Sequence, residues 1–260
     1  MVNVKKYTSC LKHFGLSLTL ILVLVGCSQK YQITKIEGKQ IKVTAKSTDN
    51  SSIENYILPY RTRINQDLDS VLAYCPETLD KSTDMLQTKI GDFLADITLA
   101  KTKVLFKKRE DKTIDVCLLN HGGIRAILPK GNVTTRTAFE IMPFENTALV
   151  LELKGEQLAD IANHIVLEKK PHPISGITFT IDAQNKVKNI KVNQQDLQLN
   201  KTYYVVTNDY LANGGDNMVF FKKATKTFDL NYKLRNILID YFKDVDTIPT
   251  TFEIKITKEN

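Results

Sequence analysis

The 260-residue sequence predicts an α+β fold, with mixed sheets flanked by helices in a single domain. Short alternating or fully apolar runs such as "TIDVCLLN", "NTALVLELKG", "GITFTID", "VKNIKVN" and "TYYVVTND" read as strands. Longer stretches such as "TKIGDFLADITLAKTKVLF" and "GEQLADIANHIVLE" repeat their apolar residues at helical period. Strands and helices do not alternate strictly, so a doubly wound dinucleotide fold is not expected.

Past the leader, the elements follow in order. "YQITKIEGKQIKVTA" alternates around Gly38 and predicts a short hairpin. Ile53, Ile57 and Leu58 begin helical spacing, and Ile64, Leu68, Val71 and Leu72 continue it toward a strand near Cys75. Thr88 stands where an N-cap belongs, ahead of Ile90, Phe93, Leu94 and Ile97. "TIDVCLLN" is the first buried strand. "TTRTAFEIM" is a short helix stopped by Pro143, and "NTALVLELKG" is a strand. Leu158, Ile161, Ile165 and Val166 share one helical face. "LRNILIDYF" predicts a helix and "TFEIKIT" a final strand. No repeat of solenoid length and no low-complexity tract interrupts the chain.

The first residues form a separate unit. Lys5, Lys6 and Lys12 precede the apolar run "LSLTLILVLVGC", which is too short for a spanning helix of ~20 residues and fits the core of a signal peptide. It ends in Leu24-Val25-Gly26-Cys27, which looks like a bacterial lipobox. The expected organisation is a leader over 1–26, a lipidated anchor and short linker over 27–30, and one domain over 31–260. Cys27 would carry the lipid, and the anchor would be the membrane attachment. The expected location is extracytoplasmic, on the periplasmic side of a bacterial membrane or at the cell surface. Loss of the leader removes three of 36 basic residues and none of 29 acidic ones, leaving a net charge of +4 rather than +7. Lysines and arginines interleave with acids, so no nucleic-acid partner is expected. Cys75 and Cys117 remain, read as buried thiols with a disulfide left open.

Several kinds of chemistry have no footprint. Of four histidines, His121, His164 and His172 lie beyond the leader, no two of them close in the sequence. His164 falls on a helix, and His172 between two prolines reads as exposed. A dinuclear phosphatase centre needs more ligands on short loops than these. No nucleophile elbow and no Walker loop occurs. No catalytic residue and no metal or other cofactor is therefore assigned to this chain.

Three loops beside apolar strands remain: "NHGGIR" (120–125), "MPFENT" (142–147) and "NDYLANGGD" (208–216). Arg125 beside paired glycines suits an anionic oxygen, because the guanidinium supplies forked donors. Phe144 and Tyr210 suit the two faces of a flat ring. Asp216 beyond a glycine turn suits a sugar diol, and Asn120 and Asn146 add amides. Together these describe a nucleoside phosphate.

The ordered set "NHGGIR … GNVTTRTAFEIMPFENTALVLELKGEQL … YYVVTNDYLANGGD" resembles the C-terminal domain of the 5'-nucleotidase family, which includes UDP-sugar hydrolases and cyclic-nucleotide phosphodiesterases. "YILPYRTRIN" and "TKIGDFLADI" extend the likeness toward Tyr31. The resemblance implies that this domain holds the substrate for a two-metal phosphatase domain. It further implies that Phe144 and Tyr210 clamp the base, Asp216 binds the ribose hydroxyls, Asn120 and Asn146 add contacts, and Arg125 takes phosphate. Members often carry phosphate-binding arginines before the "TKIGDF" helix, where this sequence has "LDKSTDMLQ" and only Lys81. With its own leader, the chain is expected to be complete without a phosphatase domain. It would then be the substrate-binding half of a split 5'-nucleotidase, inactive alone, with divalent metals held by a separate metallophosphatase chain. The rivals are a nucleotide- or nucleoside-scavenging lipoprotein and a scaffold whose pocket no longer binds.

Overall fold

A computed structural model describes residues 11–20, 33, 35–44, 50–84 and 86–259. Cys27 and most of the leader lie outside the described residues. The chain divides into two units, Met1–Ser52 and Ile53–Asn260. In the first, residues 11–20 are helical and exposed. The hairpin expected over 31–45 does not form among the described residues, since 33 and 35–44 carry no strand. Ile33, Ile36, Ile41 and Val43 are exposed. An isolated two-stranded hairpin is marginal in water, and alternation alone does not supply the surface that would cover one face.

Most of α1 (Ser51–Asp69) belongs to the second unit, and the helix buries none of its residues. The helix ends earlier than its apolar spacing suggested, because Val71 and Leu72 belong to β1 (Val71–Cys75). Arg136 ties the helix end down, with Nε to Asp69 Oδ1 at 2.6 Å and Nη2 to Asn65 Oδ1 at 2.9 Å. The small ladder β2 (Thr83–Asp84) and β3 (Gln87–Thr88) leads into α2 (Lys89–Glu110). Thr88 caps that helix as expected, its Oγ1 accepting from Gly91 N at 3.0 Å. There follow β4 (Val116–Leu118), β5 (Gly131–Thr134), α3 (Thr135–Ile141), β6 (Thr147–Lys154) and α4 (Gly155–Glu168). Then come β7 (Ile174–Ser175), β8 (Ile177–Ile181), β9 (Val187–Val192), β10 (Gln195–Asp196) and β11 (Thr202–Asn208). The chain ends through α5 (Asp209–Ala212), β12 (Lys226–Lys233), α6 (Leu234–Asp244) and β13 (Ile256–Lys258). The last strand is shorter than "TFEIKIT" suggested.

The central sheet has the order β12-β6-β11-β4-β7. It is mixed: β11 runs antiparallel to β6 and parallel to β4. Its two faces feed two cores. Val150 and Val206 point into one, with Phe93, Phe106, Ile237 and Phe242 from α2 and α6. Leu151 and Val205, one residue along, point into the other, with Leu158 and Ile161 of α4 and Phe179 of the second sheet. A sheet covered on both faces explains why β4 is apolar and buried at every position instead of alternating. The second sheet, β10-β9-β8-β13, closes that core. Cys75 and Cys117 are both buried free thiols, so the open disulfide alternative is not realised.

The parallel β4–β11 step is pinned at its start. Asp115 N donates to Tyr204 O and Tyr204 N donates to the Asp115 carboxylate, both at 2.8 Å. Gly176, between β7 and β8, passes directly over this point. Its φ is +78°, and a Cβ there would stand 2.1 Å from Asp115 O. Gly176→Ala is therefore expected to cost roughly 3 kcal/mol, combining a left-handed backbone penalty with a backbone overlap. Urea unfolding measures it, and a loss below ~1 kcal/mol would mean that the turn moves aside freely.

Candidate functional site

The pairing register decides where the three loops go. Asn208, the last residue of β11, is opposite Ala148 near the start of β6. Because β4 is parallel to β11, its carboxyl end points the same way. The loops after β4, before β6 and after β11 therefore emerge together, although they lie far apart in the sequence. This is the crevice beyond strand ends where sheets with parallel steps offer binding sites.

Asn208 joins two of them. Its Oδ1 accepts from Leu211 N at 2.8 Å and caps α5. Its Nδ2 donates to Asn120 Oδ1 at 2.7 Å. Asn120 in turn packs on Gly123, where a Cβ would lie 2.9 Å from its Oδ1. The missing side chain of Gly123 thus admits Asn120, and the exposed neighbour Gly122 keeps open backbone. The second link runs from Asn146 Nδ2 to Asp209 Oδ1 at 2.7 Å. Asn120 and Asn146, expected to touch a ligand, thus hold the loops to one another. Asn208 and Asp209 were overlooked as partners, although an Asn directly before a short helix is an N-cap signal.

The loop carrying Phe144 has its own clamp. Arg235 of α6 is buried, with its guanidinium carbon 4.0 Å from the Phe139 ring centroid. Its Nη1 donates to Pro143 O at 3.2 Å, and its Nη2 pairs with the Glu145 carboxylate. Lys233 Nζ donates to Glu145 O at 2.6 Å. Phe144 is left 47 % exposed above this base. Arg235 was missed as well. Its signal was a lone Arg between Leu234 and Ile237 on an apolar helical face.

Two cations meet at the first loop. Arg125 is exposed, its guanidinium 5.9 Å from the Phe144 ring, with one long hydrogen bond to Gly122 O at 3.3 Å. Lys81 Nζ donates to His121 O at 3.3 Å. Burial first, and then the charge of Arg125, pull the Lys81 ammonium below its ordinary value. Neither cation is ion-paired among the described residues. Lys81, discounted in the sequence for not being an arginine, thus stands beside Arg125. Two unneutralised cations over a glycine turn make a seat for a dianion such as a phosphate monoester.

The third loop carries Tyr210 and Asp216. Tyr210 is 45 % exposed, and its hydroxyl donates to Asp216 Oδ1 at 2.9 Å. Phe144 and Tyr210 make no ring contact with each other among the described residues. A hollow of about 580 Å³ is lined by Asn146, Asp209, Tyr210, Asn213, Gly214 and Gly215. A roomier groove of about 1160 Å³ lies away from the cations, lined by His164, Val187, Val219 and Phe220 among others.

The histidines depart from expectation. His172 is buried, 2 % exposed, rather than solvent-facing, because Leu119 N donates to Pro173 O and extends the β4–β7 ladder, holding the proline-flanked segment alongside β4. His172 Nδ1 accepts from His121 N at 3.3 Å, and the His164 ring lies 6.2 Å away. The three are neighbours in space though distant in sequence. Among the described residues, no group of three or more His, Cys, Asp or Glu is placed to hold a metal ion.

Comparison with known proteins bears on this arrangement. Residues 72–223 match the family described as 5'-nucleotidase, C-terminal domain. The chain is 24 % identical over 249 residues to a trifunctional nucleotide phosphoesterase of Bacillus subtilis, covering 89 % of this chain and 17 % of that protein. It is 22 % identical over 204 residues to a 5'-nucleotidase of Vibrio cholerae, covering 75 % and 34 %. The crystal structure of a 5'-nucleotidase precursor from Thermus thermophilus superposes with a TM-score of 0.67 at 26 % identity, covering 81 % of this chain and 43 % of that one. The chain thus spans about a sixth and about a third of these two curated relatives and under half of that solved chain.

Burial gives His172 a pH signature. It lowers the imidazole from 6.5 to about 4, against a smaller opposing pull from Asp216. The unfolded chain takes up this proton below 6.5 and the folded chain does not until about 4. The stability that His172 confers is therefore complete above that window and falls as pH drops through it, by about 3 kcal/mol in all. His172→Asn keeps an acceptor for His121 N and removes the titration. Urea unfolding between pH 7.5 and 4.5 should show a shallower loss in the variant, and an equal loss would assign the acid sensitivity to other groups.

Proposed function

The chain belongs to the 5'-nucleotidase C-terminal domain family, and on that premise we propose that it is the substrate-binding half of an extracytoplasmic 5'-nucleotidase whose metal centre resides on a separate metallophosphatase chain. The observation that carries this reading is the meeting of Arg125 and Lys81, unpaired, beside the exposed face of Phe144 at the sheet edge that also holds Asp216. The roles follow from chemistry. Phe144, held from below by Arg235, offers a rigid face for a base. Arg125 and Lys81 neutralise the phosphate, and Asp216 accepts from the sugar. Tyr210 closes the other side.

Hydrolysis of a phosphate monoester needs an activated water and neutralisation of the developing charge, which divalent metals supply in the partner. This chain contributes position: a substrate fixed at base, sugar and phosphate reaches the reacting geometry without further loss of freedom. Cys27 is proposed to anchor the pair to a bacterial membrane surface. Among the described residues, no helix is long and apolar enough to cross one.

Calorimetry with AMP and adenosine tests the roles. Arg125→Ala and Lys81→Ala should each weaken AMP roughly tenfold or more, the scale of a charge-assisted hydrogen bond, and leave adenosine nearly unchanged. Equal losses for both ligands would contradict the phosphate role. If Phe144→Ala and Asp216→Ala alter neither, the pocket assignment fails. The pure chain with added divalent metal should not turn over AMP, and metal-dependent hydrolysis by the pure chain would sink the split arrangement. Tight AMP binding without a co-purifying phosphatase would favour the scavenging alternative.

A further inference from the structure

The proposed sugar site is already in use. The Tyr210 hydroxyl donates to Asp216 Oδ1 at 2.9 Å and accepts from Asp216 N at 3.2 Å. The ring reaches this position because Gly215 lacks a side chain. A Cβ there would stand 2.5 Å from the ring carbon that bears the hydroxyl. The backbone turns the carboxylate back toward the ring through a left-handed run, with φ of 88° at Gly214, 49° at Asp216 and 59° at Asn217. Asp216 Oδ2 has no partner among the described residues.

A carboxylate binds a cis-diol best with one hydroxyl on each oxygen. Here one oxygen carries the phenol, and the adjacent ring occupies the space beside it. Resting on the nucleotide reading, we propose that the Tyr210 hydroxyl sets sugar specificity: it leaves Asp216 one oxygen for a single sugar hydroxyl, so ribo- and 2'-deoxyribonucleosides bind alike. The 3'-hydroxyl, common to both sugars, takes the free oxygen. A phenylalanine at this position would present the same face to a base and leave both oxygens open. The two hydrogen bonds to the phenol come from a residue six positions on in the same loop, so a ligand gains little by displacing it. Tyr210 is in this sense a positioning residue that acts through Asp216.

The test is calorimetry of the full chain with adenosine and 2'-deoxyadenosine, as wild type and as Tyr210→Phe. The wild type should bind the two within about threefold. The variant should prefer adenosine about tenfold, by gaining affinity for it, as one more hydrogen bond to a charged acceptor implies. A wild type that already prefers adenosine tenfold would show that Tyr210 swings away on binding and would overturn the proposal. So would an unchanged ratio in the variant with both ligands bound. If neither protein binds either nucleoside, the nucleotide reading itself falls, and this inference with it.

Discussion

β11 is held antiparallel to β6 along its length and parallel to β4 near its carboxyl half. That register is the constraint on which the site rests. A shift by one residue would exchange Val205 with Val206 and send each into the wrong core. It would also move Asn208 away from Asn120, dissolving the bond between two loops. Burial on both faces thus fixes the position of polar groups that contribute little burial themselves. The Asp115–Tyr204 exchange, guarded by Gly176, sets the parallel pair at its other end.

The polar residues at the sheet edge divide into two groups. Asn120, Asn146, Asn208, Asp209 and Arg235 spend their hydrogen bonds on the loops themselves. Arg125 and Lys81 each give only one long bond to a carbonyl of the first loop and have no ion-pair partner among the described residues, and Phe144 keeps a face exposed. Preorganisation requires such a division: loops that were not cross-tied would lose freedom on binding and weaken it. Tyr210 and Asp216 belong to neither group, since each occupies the other.

The helices and most strands were legible in the sequence because their signals are local. Thr88, Pro143 and the face formed by Leu158, Ile161 and Ile165 act within a turn or two of themselves. The loop set was legible because glycine, aromatic and charged residues sit directly beside apolar runs. What escaped depends on long-range packing. His172 looked exposed because nothing nearby announces that Leu119 will hold Pro173 alongside β4 at the sheet edge. Lys81 lies some forty positions before the loop that it supports, and Arg235 about ninety after the carbonyls that it binds. The hairpin around Gly38 had the right alternation and no surface to cover it. Periodicity reports which face a segment could bury, and it says nothing of what is there to receive it.

Asn208 has a consequence in time as well as in space. It bonds to a residue 88 positions earlier, and Asn146 to one 63 positions later. Such contacts form only after long loops have closed, which places them late in a folding reaction. No partly folded species then presents the assembled sheet edge. A ligand that spans it has affinity for the finished fold alone, and at a hundred times its dissociation constant it would add about 2.7 kcal/mol to stability. A chain stabilised in this way opens less often, so it would resist proteases longer while such a ligand is bound.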